Sequence, residues 1–177
     1  MAMGVRLPAP YPMPVISSHG TLNADDACIF QAAFGTSTTW PTANKAFFLA
    51  WELLAPYTVR RLWVYNGAAV SGNLDVGLYS HDGTRLVSSG STAQAGTNTL
   101  QLMDVTDVLL APGLYYLALC LDNTTGAVMS APATLVNAAR GGAQMLTAFP
   151  LPTVATLATV SAGQRPHFGL TSRASIL

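Results

Sequence analysis

The chain has 177 residues, of which 50% are hydrophobic and only 9% charged, with a net charge of zero and a mean hydropathy of +0.37. An ordinary soluble domain has roughly 25% charged residues, and a monomer with so few charges is poorly protected against association. The balanced charge without a Lys/Arg cluster argues against nucleic-acid binding, and Pro112-Gly113 interrupts the longest apolar run, which is too short to cross a membrane.

The composition is best explained by a subunit whose surface is largely covered by other subunits. The first residues, "MAMGVRLPAPYPMPV", contain no apolar stretch of signal-peptide length, so no export signal is expected. Cys28 and Cys120 are therefore predicted to be buried free thiols, with a disulfide as the less favoured alternative.

Residues 1–20 are predicted to form an extended arm, followed by one β-sandwich domain over residues 21–177. Prolines at alternate positions, from Pro8 to Pro14, prevent both a helix and a central strand and favour polyproline geometry. The arm is either a solvated leader or an anchor on a neighbouring protein. The anchor hypothesis depends on four apolar side chains: Tyr11, Met13, Val15 and Ile16.

Short strands with turn signals about every ten residues then follow along the chain. Aromatic content favours a strand over a helix for "KAFFLAWELL". In the next strand, Val59, Arg61, Trp63 and Tyr65 are predicted to share one face, and Asn66-Gly67 is a turn signal. Asp82-Gly83 predicts a hairpin turn, because both residues tolerate positive φ.

The strand "NLDVGLYS" is predicted to have one apolar face and one polar face, the latter carrying Asn73, Asp75, Gly77 and Tyr79. Leu100 and Leu102 are expected to point inward from a later strand. Tyr115 to Leu121 is apolar on both faces, so it is predicted to be a central strand covered on both sides. The predicted core contains Leu74, Val76, Leu78, Leu117 and Leu119.

The segment "ATLVNAARGGAQM" is ambiguous between a short helix and a loop, and a last strand is predicted near Phe168 to Leu170. The pattern as a whole indicates an all-β fold, a single sandwich with a jelly-roll-like architecture.

Three parts of the sequence resemble small β-sandwich virion proteins of tailed bacteriophages, which serve as tail, fibre or head-decoration components. These parts are "RLWVYNGAAVSGNLDVGLYSHDGTRLVSSGSTAQAG", "LQLMDVTDVLLAPGLYYLALCLDNTTG" and "FPLP…RPHFGL". The resembling positions include Ser71-Gly72-Asn73, Val76-Gly77-Leu78-Tyr79, Arg85-Leu86, Pro112-Gly113 and Tyr115-Tyr116-Leu117-Ala118-Leu119.

The resemblance implies a structural subunit of a virion that contacts other virion proteins and has no active site. It also implies a trimer as the expected form of the homo-oligomer. Long fibres carry shafts, which the short N-terminal arm does not resemble, so a small accessory or decoration subunit is favoured. Jelly-roll carbohydrate-binding modules share the strand pattern, and a glycan-binding module for host attachment is the alternative.

No pattern of catalytic or metal-binding residues stands out. The chain contains neither a G-x-S-x-G nucleophile elbow nor a phosphate-binding G-x-x-x-x-G-K-[ST] loop. His81-Asp82 is explained by its predicted turn, and Asp25-Asp26, Asp104 and Asp107 are weak calcium candidates. We therefore expect neither an enzyme nor a bound cofactor or metal.

Aromatic residues are the remaining candidates for a binding site, since their rings can stack on sugars. Core packing is the favoured explanation for Trp40, Trp51 and Trp63. Tyr79, placed on the polar face of its strand, is the best candidate for a glycan contact.

Overall fold

A computed structural model describes residues 35–131, 142–159 and 165–173. Within these ranges the chain forms β-strands and no helix, which confirms the all-β prediction. The strands are β1 (Thr36–Thr39), β2 (Ala46–Leu53), β3 (Tyr57–Tyr65), β4 (Asn73–Ser80), β5 (Arg85–Ser88), β6 (Thr92–Ala93), β7 (Leu100–Leu110), β8 (Gly113–Leu121), β9 (Ala127–Ala131), β10 (Gly142–Met145), β11 (Ala158–Thr159), β12 (Arg165–Pro166) and β13 (Phe168–Thr171).

The strands pair antiparallel in three sheets. The central sheet has the order β11-β10-β2-β8-β4-β5, with β6 also paired to β4. The outer sheet has the order β13-β3-β7, and a small sheet has the order β1-β9-β12. The chain passes between the central and outer sheets after β2, β3, β6 and β7, as expected for a β-sandwich.

The main core lies between the central and outer sheets. All five predicted core residues are fully buried there, which confirms Leu74, Val76, Leu78, Leu117 and Leu119. The outer sheet contributes Val59, Leu62, Val64, Phe168 and Leu170 to the same cluster. Alternate positions of each strand supply these side chains because successive residues of a strand point to opposite faces.

The other face of the central sheet is also covered. Residues 146–157, here called the strap, run across it and pack Ala148, Leu151 and Ala155 against Phe48, Tyr79 and Ala118 in a second apolar cluster. The prediction that the β8 segment is covered on both sides is therefore confirmed. The face of β4 that was predicted to be polar is covered as well, because the strap buries Asp75, Gly77 and Tyr79.

The predicted hairpin at Asp82-Gly83 is confirmed and joins β4 to β5. Gly83 has a φ of 87°, and its N–H donates to the Ser80 carbonyl at 3.0 Å. The Asp82 carboxylate accepts hydrogen bonds from the Ser80 hydroxyl and the Thr84 N–H. Asn66-Gly67, in contrast, does not close a hairpin, because β3 pairs with β7 and β13 whereas β4 lies in the central sheet.

An irregularity in β3 changes the direction of its side chains. The register between β3 and β7 shifts between Val59 and Arg61. Val59 therefore faces the main core together with Leu62 and Val64, whereas Trp63 lies on the opposite face of the outer sheet. The prediction that Val59 and Trp63 share a face is wrong for this reason.

In the neighbouring strand β7, the side chains also point in the direction opposite to the predicted one. Leu102 is the register partner of Trp63 and lies on that outer face, while Met103 belongs to the main core. The predicted inward direction of Leu100 and Leu102 is therefore also wrong.

Strands are confirmed at Ala46–Leu53 and at Phe168–Thr171. The ambiguous segment after β9 lies mostly outside the described residues, although Gly142–Met145 is strand β10. The N-terminal arm, Asp25-Asp26 and Cys28 also lie outside the described residues. The boundary at residue 20 and the jelly-roll-like connectivity both stay predictions.

Candidate functional site

Tyr79, the predicted glycan contact, is fully buried beneath the strap. Its hydroxyl donates to the Pro152 carbonyl at 2.7 Å, and its ring meets Phe48 edge-on with centroids 5.3 Å apart. Burial raises the pKa of the phenol. Because both the ring and the hydroxyl are used inside the fold, Tyr79 offers no surface on which a sugar can stack, and this prediction is corrected.

The three tryptophans belong to the interior, as the core-packing explanation predicts. Trp40, Trp51 and Trp63 expose 1%, 5% and 0% of their surface. The Trp40 indole N–H donates to the Lys45 carbonyl at 2.9 Å. Trp51 packs against Tyr57 and Tyr115, with ring centroids 6.4 and 5.9 Å apart. None of the three is therefore available to stack on a sugar ring.

Trp63 lies so close to Gly169 of β13 that a Cβ at that glycine would approach the indole to 2.8 Å.

The four residues proposed for the anchoring arm, Tyr11, Met13, Val15 and Ile16, all lie outside the described residues. The anchor hypothesis therefore stays a prediction.

Asp75 is a buried carboxylate that the sequence pattern did not single out. It is fully buried, and its Oδ2 accepts a hydrogen bond from the Leu151 N–H of the strap at 3.0 Å. Its Oδ1 accepts one from the Ser89 hydroxyl at 3.3 Å. Arg85 donates to the Leu151 carbonyl next to it. Asp75 and Arg85 thus bind the two backbone polar groups of one strap residue and fix the strap to the central sheet.

A chain of amide side chains joins the loops at the end of the sandwich where β3 and β8 finish. Gln94 donates to Asn66 Oδ1 at 3.0 Å and to the Ala127 carbonyl at 2.8 Å. Asn66 in turn donates to Gln101 Oε1 at 2.9 Å. Asp122 accepts hydrogen bonds from both the backbone and the side chain of Asn73. These polar groups bind one another, so they fix the loops.

Asp104 and Asp107, the calcium candidates within the described residues, form ion pairs with arginines. Arg60 Nε lies 3.4 Å from Asp107 Oδ2, and Arg61 Nε lies 3.1 Å from Asp104 Oδ1. No group of three or more His, Cys, Asp or Glu side chains within the described ranges is arranged to hold a metal ion. Cys120 is a buried free thiol, as predicted for it, and burial raises its pKa.

The opposite end of the sandwich is apolar and uncharged. Here β2 is followed by Leu54, Ala55 and Pro56, and β7 is followed by Ala111 and Pro112. No charged residue occurs in residues 53–59 or 108–116. We call this the uncharged end. Its exposed leucines are Leu54, Leu109 and Leu114, which expose 81%, 74% and 41% of their surface.

Strands hold two of these three leucines in place. Leu109 is the register partner of Thr58 in the outer sheet, and Leu114 is the register partner of Glu52 in the central sheet. At the connection between β7 and β8, the Tyr115 hydroxyl donates to the Ala111 carbonyl at 2.7 Å. Single exposed leucines are ordinary, but three at this end, in segments that contain no charged residue, are candidates for contact with a partner. The sequence analysis did not identify these leucines. Residues 53–59 and 108–116 each contain two adjacent leucines, and the sequence does not show which of the two is buried.

Comparison with known proteins adds no identification: no protein-family model matches the chain, and neither a curated protein nor a solved structure is significantly similar to it. No helix of the described chain has the length and apolar character needed to cross a membrane.

Proposed function

We propose that this protein is a structural subunit of a tailed-bacteriophage particle, a capsid-decoration or tail- or fibre-associated protein that acts through protein–protein contacts. The observation that carries the proposal is the uncharged end, where Leu54 and Leu109 are largely exposed on a rigid sandwich. The free energy of the system falls when a partner covers apolar side chains in such positions and removes them from water. The virion assignment is supported by the sequence resemblance described above.

The burial of the aromatic residues favours this function over a glycan-binding module. Sugar-binding surfaces use exposed aromatic rings, whereas Tyr79 and the three tryptophans are all packed inside the described fold. The internal hydrogen bonds of Asn66, Gln94 and Asp122 likewise leave the amide-rich loops occupied with one another.

The proposal is tested by locating the protein on particles. An antibody raised against the purified chain is applied to phage particles from lysates of the strain that encodes it, and the particles are imaged by electron microscopy. We expect label at one fixed position of the particle, and the chain should sediment with purified particles. The proposal is refuted if the expressed chain remains entirely in the supernatant and the particles carry no label.

A glycan array with the same purified chain tests the alternative function. We expect no binding above that of a denatured sample. Reproducible binding to one class of glycan would instead favour host attachment through a surface other than Tyr79.

A further inference from the structure

A single residue, His167, connects the small sheet to the outer sheet. It follows β12 directly and precedes β13. Its N–H donates to the Met129 carbonyl of β9 at 2.8 Å, and its carbonyl accepts a hydrogen bond from the Tyr65 N–H of β3 at 2.9 Å. His167 therefore takes part in the backbone hydrogen bonding of both sheets. We call Pro166, His167 and their partners Ser130, Met129 and Tyr65 the junction.

The junction contains buried polar atoms that are not hydrogen-bonded. Ser130, the register partner of Pro166, exposes 1% of its surface, and His167 exposes 7%. Within the described part of the chain, neither Ser130 Oγ nor His167 Nε2 has a hydrogen-bond partner. Buried polar groups are normally paired, and each unpaired one lowers the stability of the structure around it. The junction is therefore a weak point of the fold.

Few backbone hydrogen bonds hold β12 in place. This strand has two residues, which are in register with Ala131 and Ser130 of β9. Pro166 has no N–H to donate, so the bond from the His167 N–H to the Met129 carbonyl is a main connection between this segment and β9. A segment that is fixed by few hydrogen bonds is able to open locally while the rest of the fold stays intact.

No carboxylate in the described strands around the junction is placed to stabilise a positive charge on His167. These strands are β1, β3, β9, β12 and β13, and none of them contains Asp or Glu. The two carboxylates that approach β3 from β7 are both paired with arginines. A protonated imidazole here would therefore be a buried cation without an anionic partner, which is costly. The titratable or charged side chains of these strands are Tyr57, Arg60, Arg61, Tyr65 and Arg165.

We propose that His167 makes the junction an acid-sensitive switch, which is closed while the imidazole is neutral and opens locally, separating β12 from β9, when the imidazole is protonated. Opening lets water solvate both the charged imidazole and the Ser130 hydroxyl, which removes the cost of burying them without partners. This inference goes beyond the proposed function and does not depend on it.

Burial sets the direction of the pH dependence. It lowers the pKa of the His167 imidazole below its usual value of 6.5. Above pH 6.5 the imidazole is neutral in both the closed and the open junction, so the closed junction has its full stability. As the pH falls below 6.5, the open junction binds a proton first, and the closed junction loses stability until the pH has passed the lowered pKa.

Hydrogen exchange of the full chain, followed by NMR at about pH 7.5 and about pH 5 and corrected for the intrinsic exchange rate, measures the opening. The reporters are the amides of His167 and Tyr65, which donate across the junction. The reference is the Ala155 amide of the strap, which donates to the Gly83 carbonyl at 2.8 Å. We expect acid to increase opening at the reporters, by up to about tenfold for each unit by which the pKa lies below 6.5, and not at the reference.

Two variants separate His167 from the other titrating groups. His167→Gln keeps a polar side chain but binds no proton, so the increase at the Tyr65 amide should be absent. His81→Gln is the matched control and should show the same increase as the wild type, because His81 is exposed between β4 and β5, outside the junction. The proposal is overturned if His167→Gln retains the increase. It is also overturned if the Ala155 amide opens as much as the reporters, since the whole fold would then be unfolding.

A titration of the wild type tests the proposal even if His167→Gln does not fold. The NMR signal of the His167 imidazole is assigned by comparison with His19→Gln and His81→Gln. We expect it to titrate below pH 6.5, because the closed junction resists the charge. Titration at or above pH 6.5 would refute the switch, because the closed junction would then accept a protonated imidazole.

Discussion

Removing the charge of Asp75 tests how the strap is held to the central sheet. The buried carboxylate accepts hydrogen bonds from the Leu151 N–H at 3.0 Å and from the Ser89 hydroxyl at 3.3 Å. Asp75→Asn keeps an oxygen for the Leu151 N–H, and its new amide group is able to donate to Ser89 Oγ. Asp75→Ala removes both acceptors and leaves the Leu151 N–H without a partner.

The two substitutions therefore differ in cost. A buried donor that loses its acceptor costs about 1–3 kcal/mol, so we expect Asp75→Ala to lower the free energy of unfolding by about that amount at acidic pH, where the carboxyl of the wild type is protonated. Asp75→Asn should remain within about 1 kcal/mol of the wild type at acidic pH, because the number of hydrogen bonds is preserved.

The pH dependence follows from the pKa of Asp75. Burial raises this pKa above its usual value of 3.8, and the hydrogen bonds and the charge of Arg85 only partly oppose the shift. Between 3.8 and the raised value, the folded protein keeps a proton that the unfolded chain has lost. The free energy of unfolding contributed by this group therefore falls as the pH rises through that window. Asp75→Asn exchanges no proton here, so it gains stability relative to the wild type as the pH rises.

Urea denaturation followed by the fluorescence of the buried tryptophans, at intervals from pH 3 to pH 8, measures this difference. Asp82→Asn is the matched control with the opposite sign. The hydrogen bond from Ser80 lowers the pKa of Asp82, so the wild type gains stability relative to that variant as the pH rises through the acidic range. If the difference between the wild type and Asp75→Asn is the same at every pH, the account of a destabilising buried charge is wrong.

The other predictions concern the core, the strap and the arm. Leu117→Ala should cost about 2–5 kcal/mol in chemical denaturation, since Leu117 is fully buried in the main core; a loss below about 0.5 kcal/mol would contradict its placement. Tyr79→Phe should cost about 0.5–1.5 kcal/mol, because it removes the hydrogen bond to the Pro152 carbonyl but keeps the ring; unchanged stability would mean that water replaces the bond. Deleting residues 1–20 removes none of the described strands, which begin at Thr36, so the melting temperature should stay nearly constant while attachment to particles is lost. Full occupancy of particles by the truncated chain would place the anchor on the sandwich.

Local patterns predicted those features that depend on neighbouring residues alone. The alternation of Leu74, Val76 and Leu78 is enough to place them on one face, because the side chains of a strand alternate. The hairpin at Asp82-Gly83 follows from the conformational freedom of the turn residues, and Gly83 does adopt positive φ. The apolar character of both faces of the β8 segment likewise indicates that both are covered.

The candidate surface depended on contacts between segments far apart in the chain. Leu109 and Leu110 are adjacent and chemically identical, yet one is 74% exposed and the other 3%. Register with β3 decides which of the two faces the core. The same holds for Leu53 and Leu54, where the end of β2 separates a buried leucine from an exposed one.

The sequence by itself therefore determined the all-β class, the longer strands and the Asp82-Gly83 turn, because these follow from side-chain alternation and backbone conformation over a few residues. Only the tertiary structure decided the environment of each face. The strap, more than 60 residues further along the chain, buries Asp75 and Tyr79 on a face that looks polar, and a shift of register in β3 turns Trp63 away from the main core. Burial is a property of what packs against a residue, and that partner is set by the path of the whole chain.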